Sequence, residues 1–149
     1  MIRDDIKAAL VTAMKGGDKQ TTATIRLIQA AIKNRDIEAR TGKAPDDDVL
    51  VSEVLQKMVK QRRESITMYE QGGRPELASA EAGEVAVIER FLPKMMDEAE
   101  TKAAIEAIKA EIGASSVKDM GRVMAELKTR HAGKLDMSKA SGLVKGALA

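Results

Sequence analysis

Gly113-Ala114-Ser115-Ser116-Val117-Lys118-Asp119-Met120-Gly121-Arg122-Val123-Met124 closes one short helix and opens another. Its polar residues follow too specific an order to serve packing alone. With the basic tail behind it, the stretch reads as part of a helical module that grips something acidic, not as an active site.

Helical punctuation spreads outward from it. Downstream, the pattern predicts helices over about Val117 to Arg130 and Ser138 to Leu148, broken at Ala132-Gly133. Immediately upstream, about Asp97 to Ile112 is helical and Gly113 stops it. Further back, a helix from about Arg3 to Lys15 stops at Gly16-Gly17. Asp18 caps a second, which runs to Arg40 and ends at Gly42, with Ile25, Ile28, Ile32 and Ala39 at helical spacing. Pro45 and the run Asp46-Asp47-Asp48 start a third, where acids suit the positive end of the helix dipole. Its apolar stripe is Val51, Val54, Leu55, Met58, Ile66 and Tyr69, and it ends at Gly72-Gly73. A fourth begins near Pro75, carries Leu77, Val85, Ile88, Phe91 and Leu92, and stops before Pro93. No strand alternation, hairpin turn or internal repeat interrupts this series. The expectation is an all-α chain in two parts: long helices over 1–93 and a smaller three-helix subdomain over 94–149.

Composition agrees. The 149 residues are 44% hydrophobic but only 1% aromatic, with Tyr69 and Phe91 as the only Phe, Tyr or Trp. The core must be Leu, Ile, Val, Ala and the nine methionines, which suit helices. Cysteine is absent, so no disulfide, thiolate metal site or cysteine nucleophile exists. There is no long apolar run, and Arg3, Asp4, Asp5 and Lys7 break up the start, so the reading is no membrane and a cytoplasmic location.

Net charge is only +2, but it is segmented. Asp97 to Ala114 holds five acids and two bases. From Ser115 onward seven bases, Lys118, Arg122, Lys128, Arg130, Lys134, Lys139 and Lys145, face three acids. These seven are the candidate RNA-binding residues. Lys118 stands near a helix start, where a cation opposes the dipole and is a poor choice for stability alone. A second-choice basic face lies on the long helices. Arg26, Lys33 and Arg40 recur every seven residues, drifting by only about 20° per step. Lys57, Lys60, Arg62 and Arg63 follow on the third helix. For these the bland reading is a solvated surface, with Glu81, Glu84 and Glu89 supplying acids from a neighbour. The near absence of aromatic rings argues against single-strand base stacking. Folded RNA read through its backbone fits better, and no DNA is expected.

Catalytic constellations are scarce. His131 is the lone histidine and reads as a turn residue near a helix end. No phosphate-binding loop occurs. Three consecutive acids do not share a helical face, so Asp46-Asp47-Asp48 reads as a helix start, not a metal site. No catalytic residue, metal or cofactor is expected.

The stretch Leu27-Ile28-Gln29-Ala30-Ala31-Ile32-Lys33-Asn34-Arg35-Asp36-Ile37-Glu38 resembles a helix of the YqeY-like family. Lys60-Gln61-Arg62-Arg63-Glu64-Ser65-Ile66, Glu89-Arg90-Phe91-Leu92-Pro93-Lys94 and the Gly113–Met124 stretch resemble its further motifs, in order. Gly133, Asp136, Ser141, Val144 and Lys145 fit its C-terminal pattern. That family is similar to the tail domain of the B subunit of bacterial tRNA-dependent amidotransferase. The resemblance implies two helical subdomains, tRNA binding, and a family-level link to carbon–nitrogen ligase activity with glutamine as amido-N-donor. The catalytic groups of that enzyme lie in parts this chain does not contain. Lys134 departs from the family, many of whose members have arginine there; lysine keeps the charge but loses bidentate phosphate contact.

Three readings follow. The first is a non-catalytic tRNA-binding accessory module. The second is a protein-interaction module docking on an amidotransferase or aminoacyl-tRNA synthetase. The third, a ligase acting alone, has the residue inventory against it.

Overall fold

The computed structural model describes residues 1–42 and 46–149. Among these the fold is all-α: seven helices and one 3-10 turn, with no strand. They form two compact units, Met1–Leu92 and Pro93–Ala149, each with its own core.

The first unit contains α1 (Ile2–Lys15), α2 (Lys19–Ala39), α3 (Asp47–Gln71) and α4 (Pro75–Glu89). Between α1 and α2 the chain turns at Gly17, whose φ of 69° suits glycine. Asp18 caps α2, accepting the Thr21 N–H at 3.0 Å and its hydroxyl at 2.7 Å. Those donors hold the Asp18 carboxyl below its usual range. Ile25, Ile28 and Ile32 are buried as their spacing requires, and they meet Ile6, Leu50, Val51, Leu55, Met58, Val87 and Ile88. The second half of the sequence-derived α3 stripe, Ile66 and Tyr69, is only half-buried. Arg62 pairs with Glu84 at 2.8 Å and Arg63 with Glu89, lacing α3 to α4.

The aspartate run does more than start α3. Asp48 Oδ1 accepts the Ile2 N–H at 3.0 Å, and Asp47 accepts from Arg3 at 2.8 and 3.3 Å. Arg3 also forks onto both oxygens of Asp36 at 3.0 Å. The start of α1 is thereby fastened to the start of α3 and to the later turns of α2. Pro45, read from sequence as part of the α3 start, lies outside the described residues.

The second unit contains α5 (Glu98–Ile112), the 3-10 turn (Val117–Asp119), α6 (Met120–Arg130) and α7 (Met137–Leu148). Ile105, Ile108, Val123, Leu127, Leu135, Ala140, Val144 and Leu148 form its core. The single helix expected from Val117 to Arg130 is split. Ser116 and Asp119 form a capping box, and Asp119 sits at φ −88°, ψ 0°, which leaves Val117–Asp119 as a tight turn ahead of α6. Asp97 and Asp136 cap α5 and α7 through backbone N–H groups.

Candidate nucleic-acid interface

The second unit holds ten Lys and Arg against eight Asp and Glu, while the first holds fifteen of each. The net charge of +2 thus resides wholly in the second unit.

Its two arginines are engaged internally. Arg122 reaches back to Asp119 at 3.2 Å and to the Ile112 carbonyl at 2.9 Å. Arg130 pairs with Glu111 and, at 3.1 Å, with Glu126. The Arg130 guanidinium holds the Glu111 carboxyl below its usual range and is itself raised. The backbone N–H of Ser115, joined by that of Ser116 and by Arg122, lowers Asp119. Lys102 takes Glu98 at 3.0 Å and Lys109 takes Glu106 at 3.4 Å. With Asp97 and Asp136 spent on caps, Glu100 alone among the acids of this unit makes no side-chain hydrogen bond or ion pair among the described residues. Lys118, Lys128, Lys134, Lys139 and Lys145 are exposed and make no ion pair among the described residues.

Two contacts fix which way the helices face. Arg130 meets Glu111, so α5 lies on the Arg130 side of α6. Lys109 Nζ donates to the Ala147 carbonyl at 2.8 Å, so α5 lies on the Ala147 side of α7. At about 100° per residue, the flanks turned away from α5 carry Gly121, Ala125 and Lys128 on α6 and Ser138, Gly142 and Lys145 on α7. All six are exposed. Since α6 and α7 pack together, these flanks give the α6–α7 face a strip of small side chains with a lysine on each helix. Lys118 joins at one end, because the 3-10 turn packs against α7. Lys134 lies at the other end, at the α6–α7 turn, while Lys139 falls nearer the Ala147 side of α7. The seven sequence candidates therefore divide into five free lysines and two arginines that brace the fold. Lys118 lies in the 3-10 turn and Arg122 in α6, on either side of the helix break, and Arg122 turns back towards α5.

On the first unit, Arg26, Lys33, Arg40, Lys57 and Lys60 are exposed without an ion pair among the described residues, whereas Arg63 is bound to Glu89. Arg40 is the residue just past the end of α2. Sequence reading missed Lys7. It lines a cleft opposite Lys33, a pairing that spacing along one helix cannot reveal.

His131 sits at the end of α6, where its N–H bonds the Leu127 carbonyl at 3.0 Å and its own carbonyl accepts the Lys134 N–H at 3.1 Å. Among the described residues no three His, Cys, Asp or Glu side chains gather as a metal site, and no helix is long and apolar enough to cross a membrane.

The family described as "Yqey-like protein" matches the chain over residues 3–148. Among curated proteins, the chain is similar to "Altered inheritance of mitochondria protein 41, mitochondrial" of Eremothecium gossypii, 34% identical over 58% of this chain and 46% of that protein. The protein of the same name from Saccharomyces cerevisiae strain YJM789 is 26% identical over 85% of this chain and 68% of its own length. That of Vanderwaltozyma polyspora is 31% identical over 60% and 48%. The chain thus spans about half to two thirds of the curated relatives it matches. Their names overturn the cytoplasmic expectation: these relatives are named as mitochondrial. The physical reason is plain. The expectation rested on the charged residues at the start of this chain, and compartment is set by address segments that are not part of the fold.

Proposed function

The chain belongs to the Yqey-like family, and from that premise we propose that it is a non-catalytic tRNA-binding module resembling the tail domain of the amidotransferase B subunit. The observation that carries the reading is the α6–α7 face. Five exposed lysines of this unit, four of them around that face, have no counter-ion among the described residues, while nearly every acid of the unit is engaged elsewhere. Free cations beside small side chains let a phosphate backbone approach closely and release counterions on contact. A part in amidation would be as an accessory that holds tRNA for a partner enzyme, with the nitrogen-transfer chemistry supplied by that partner. The rival, protein-docking reading needs exposed apolar surface. Among the described residues of this unit, Val117 is the one exposed large apolar side chain, at 47%.

Titration of total tRNA against the parent and against K118A/K128A/K145A at several salt concentrations tests the reading. The triple variant should bind more weakly and flatten the salt slope by up to about 3, roughly one per lost phosphate contact. A K57A/K60A control, on the first unit, should change it less. Equal affinity and slope for parent and triple variant would remove the assignment.

A further inference from the structure

We propose that the α6–α7 face takes double-helical RNA without regard to its sequence, and that the Ser138 and Ser141 hydroxyls read ribose 2′-OH groups there. This rests on the RNA-binding reading of that face and adds which parts of the nucleic acid the face meets.

Side chains that read bases are missing from the second unit. Residues 93–149 contain no Asn, Gln, Phe, Tyr or Trp. Asn and Gln are the side chains that pair with adenine edges, and rings are what unstacked bases lie on. Arginine, the usual reader of guanine, occurs twice, and both copies are turned inward. Arg122 holds Asp119 and the Ile112 carbonyl, and Arg130 holds Glu111 and Glu126. His131, the one ring left, is half-buried at the end of α6. The lysines are left to phosphates, because the major groove of an RNA double helix is too deep and narrow for side chains to read bases in it.

Lysine and hydroxyl are what the face does offer. Ser138, Ser141 and Lys145 recur at i, i+3 and i+7, so they share the flank of α7 turned away from α5. Elsewhere in this unit helical hydroxyls are taken up by the backbone. Thr101 donates to the Asp97 carbonyl at 2.8 Å and Thr129 to the Ala125 carbonyl at 2.9 Å, each four residues back. Ser141 has the same option in the Met137 carbonyl and does not take it. Neither its hydroxyl nor that of Ser138 makes a hydrogen bond among the described residues. Gly121, Ala125 and Gly142 leave the approach open. The minor groove of an RNA double helix is wide and shallow, with phosphates along its edges and 2′-OH groups between them. Its pattern of charge and hydroxyl matches the face. A DNA double helix has the phosphates without the hydroxyls.

Titration of the full chain with four ligands tests the proposal: total tRNA, two RNA hairpins of unrelated stem sequence, a 2′-O-methyl version of one of them, and the DNA hairpin of the same sequence. The two unmodified RNA hairpins should bind within about twofold of each other. The DNA and 2′-O-methyl hairpins should bind about tenfold more weakly, the loss expected for two hydrogen bonds. S138A/S141A should lose about the same factor towards RNA and leave DNA binding unchanged, whereas a merely structural effect would weaken both alike. The 2′-O-methyl hairpin makes the same comparison without altering the protein. A tenfold difference between the two RNA stems would overturn the indifference to sequence. Equal binding of RNA, DNA and 2′-O-methyl hairpins, or an undiminished preference for RNA in S138A/S141A, would overturn the role of the hydroxyls and leave the RNA-binding reading standing. No binding of total tRNA by the parent would remove both.

Discussion

The Arg122 guanidinium donates to the Ile112 carbonyl at 2.9 Å, so a side chain in the first turn of α6 finishes the last turn of α5. Gly113, at φ 69° and ψ 31°, reverses the chain there, and the Ala114 N–H returns to the Lys109 carbonyl at 3.0 Å. Asp119 then joins the two ends, accepting the Ser115 N–H at 3.0 Å and Arg122 at 3.2 Å. Arg122 thus ties two helix termini together. Arg122→Ala should cost about 0.5–1 kcal/mol, the lower part of the range for a hydrogen bond, because the side chain is largely exposed. Arg122→Lys should recover only part of it, since one ammonium cannot span both acceptors as the planar fork does. Urea denaturation of the two variants measures this; an unchanged midpoint for Arg122→Ala would remove the tie.

The clasp at the start of α1 predicts a pH dependence. The Arg3 guanidinium lowers the Asp47 carboxyl below its ordinary value of about 4. A group depressed in the folded state stabilises above its unfolded value and loses that contribution as pH falls through the folded value. Asp47→Asn should therefore be less stable than the parent at pH 7 and about 5. The gap should close as pH drops below about 4, where the parent carboxyl takes up its proton. Denaturation midpoints across that range give the answer, and a gap independent of pH would show that Asp47 acts by its shape alone.

Limited proteolysis should report on the boundary between the two units. Residues 93–97 have no regular structure, and Lys94 is exposed. Two residues later the chain is held again, because the Met96 N–H bonds the Lys134 carbonyl at 2.9 Å and Met96 packs on the second core. Trypsin should therefore cut first after Lys94, leaving two fragments that each stay folded. First cleavage within a helix of either unit would count against their independence.

The helices were legible because their signals are local. Asp18, Asp97, Gly113 and Pro75 each mark an end by their own backbone chemistry, and Ile25, Ile28 and Ile32 mark a buried face by spacing. What escaped involves residues remote in sequence. Asp47 and Asp48 read as a dipole match for α3, and nothing along that helix announces Arg3 or the Ile2 N–H as their partners. Arg122 and Arg130 look the same as Lys118 and Lys128 in a charge count; only the folded chain brings Ile112 and Glu111 to the arginines. The capping box at Ser116 and Asp119, three residues apart, was a local signal, and the 3-10 turn it closes splits the helix expected from Val117 onward.

The glycines of α7 give the sharpest separation of stability from binding. Gly142 and Gly146 stand inside a helix at negative φ, and a Cβ built on either meets nothing within 4 Å. Glycine there costs about 0.5–1 kcal/mol relative to alanine, because the unfolded chain gains freedom and the helix gains no contact. Gly142→Ala and Gly146→Ala should each raise stability by about that amount. Nothing inside the described fold explains the small side chain at Gly142, but a backbone pressed onto the α6–α7 face would. On the proposed reading Gly142, which lies nearer the strip between Lys128 and Lys145, should lose tRNA affinity on gaining a methyl group. Gly146, further round the helix, should lose less. Urea denaturation and tRNA titration on the same two variants separate the effects. Two stabilised variants with the affinity of the parent would show that no ligand comes close to α7 at Gly142, and would leave the lysines as long-range attraction only.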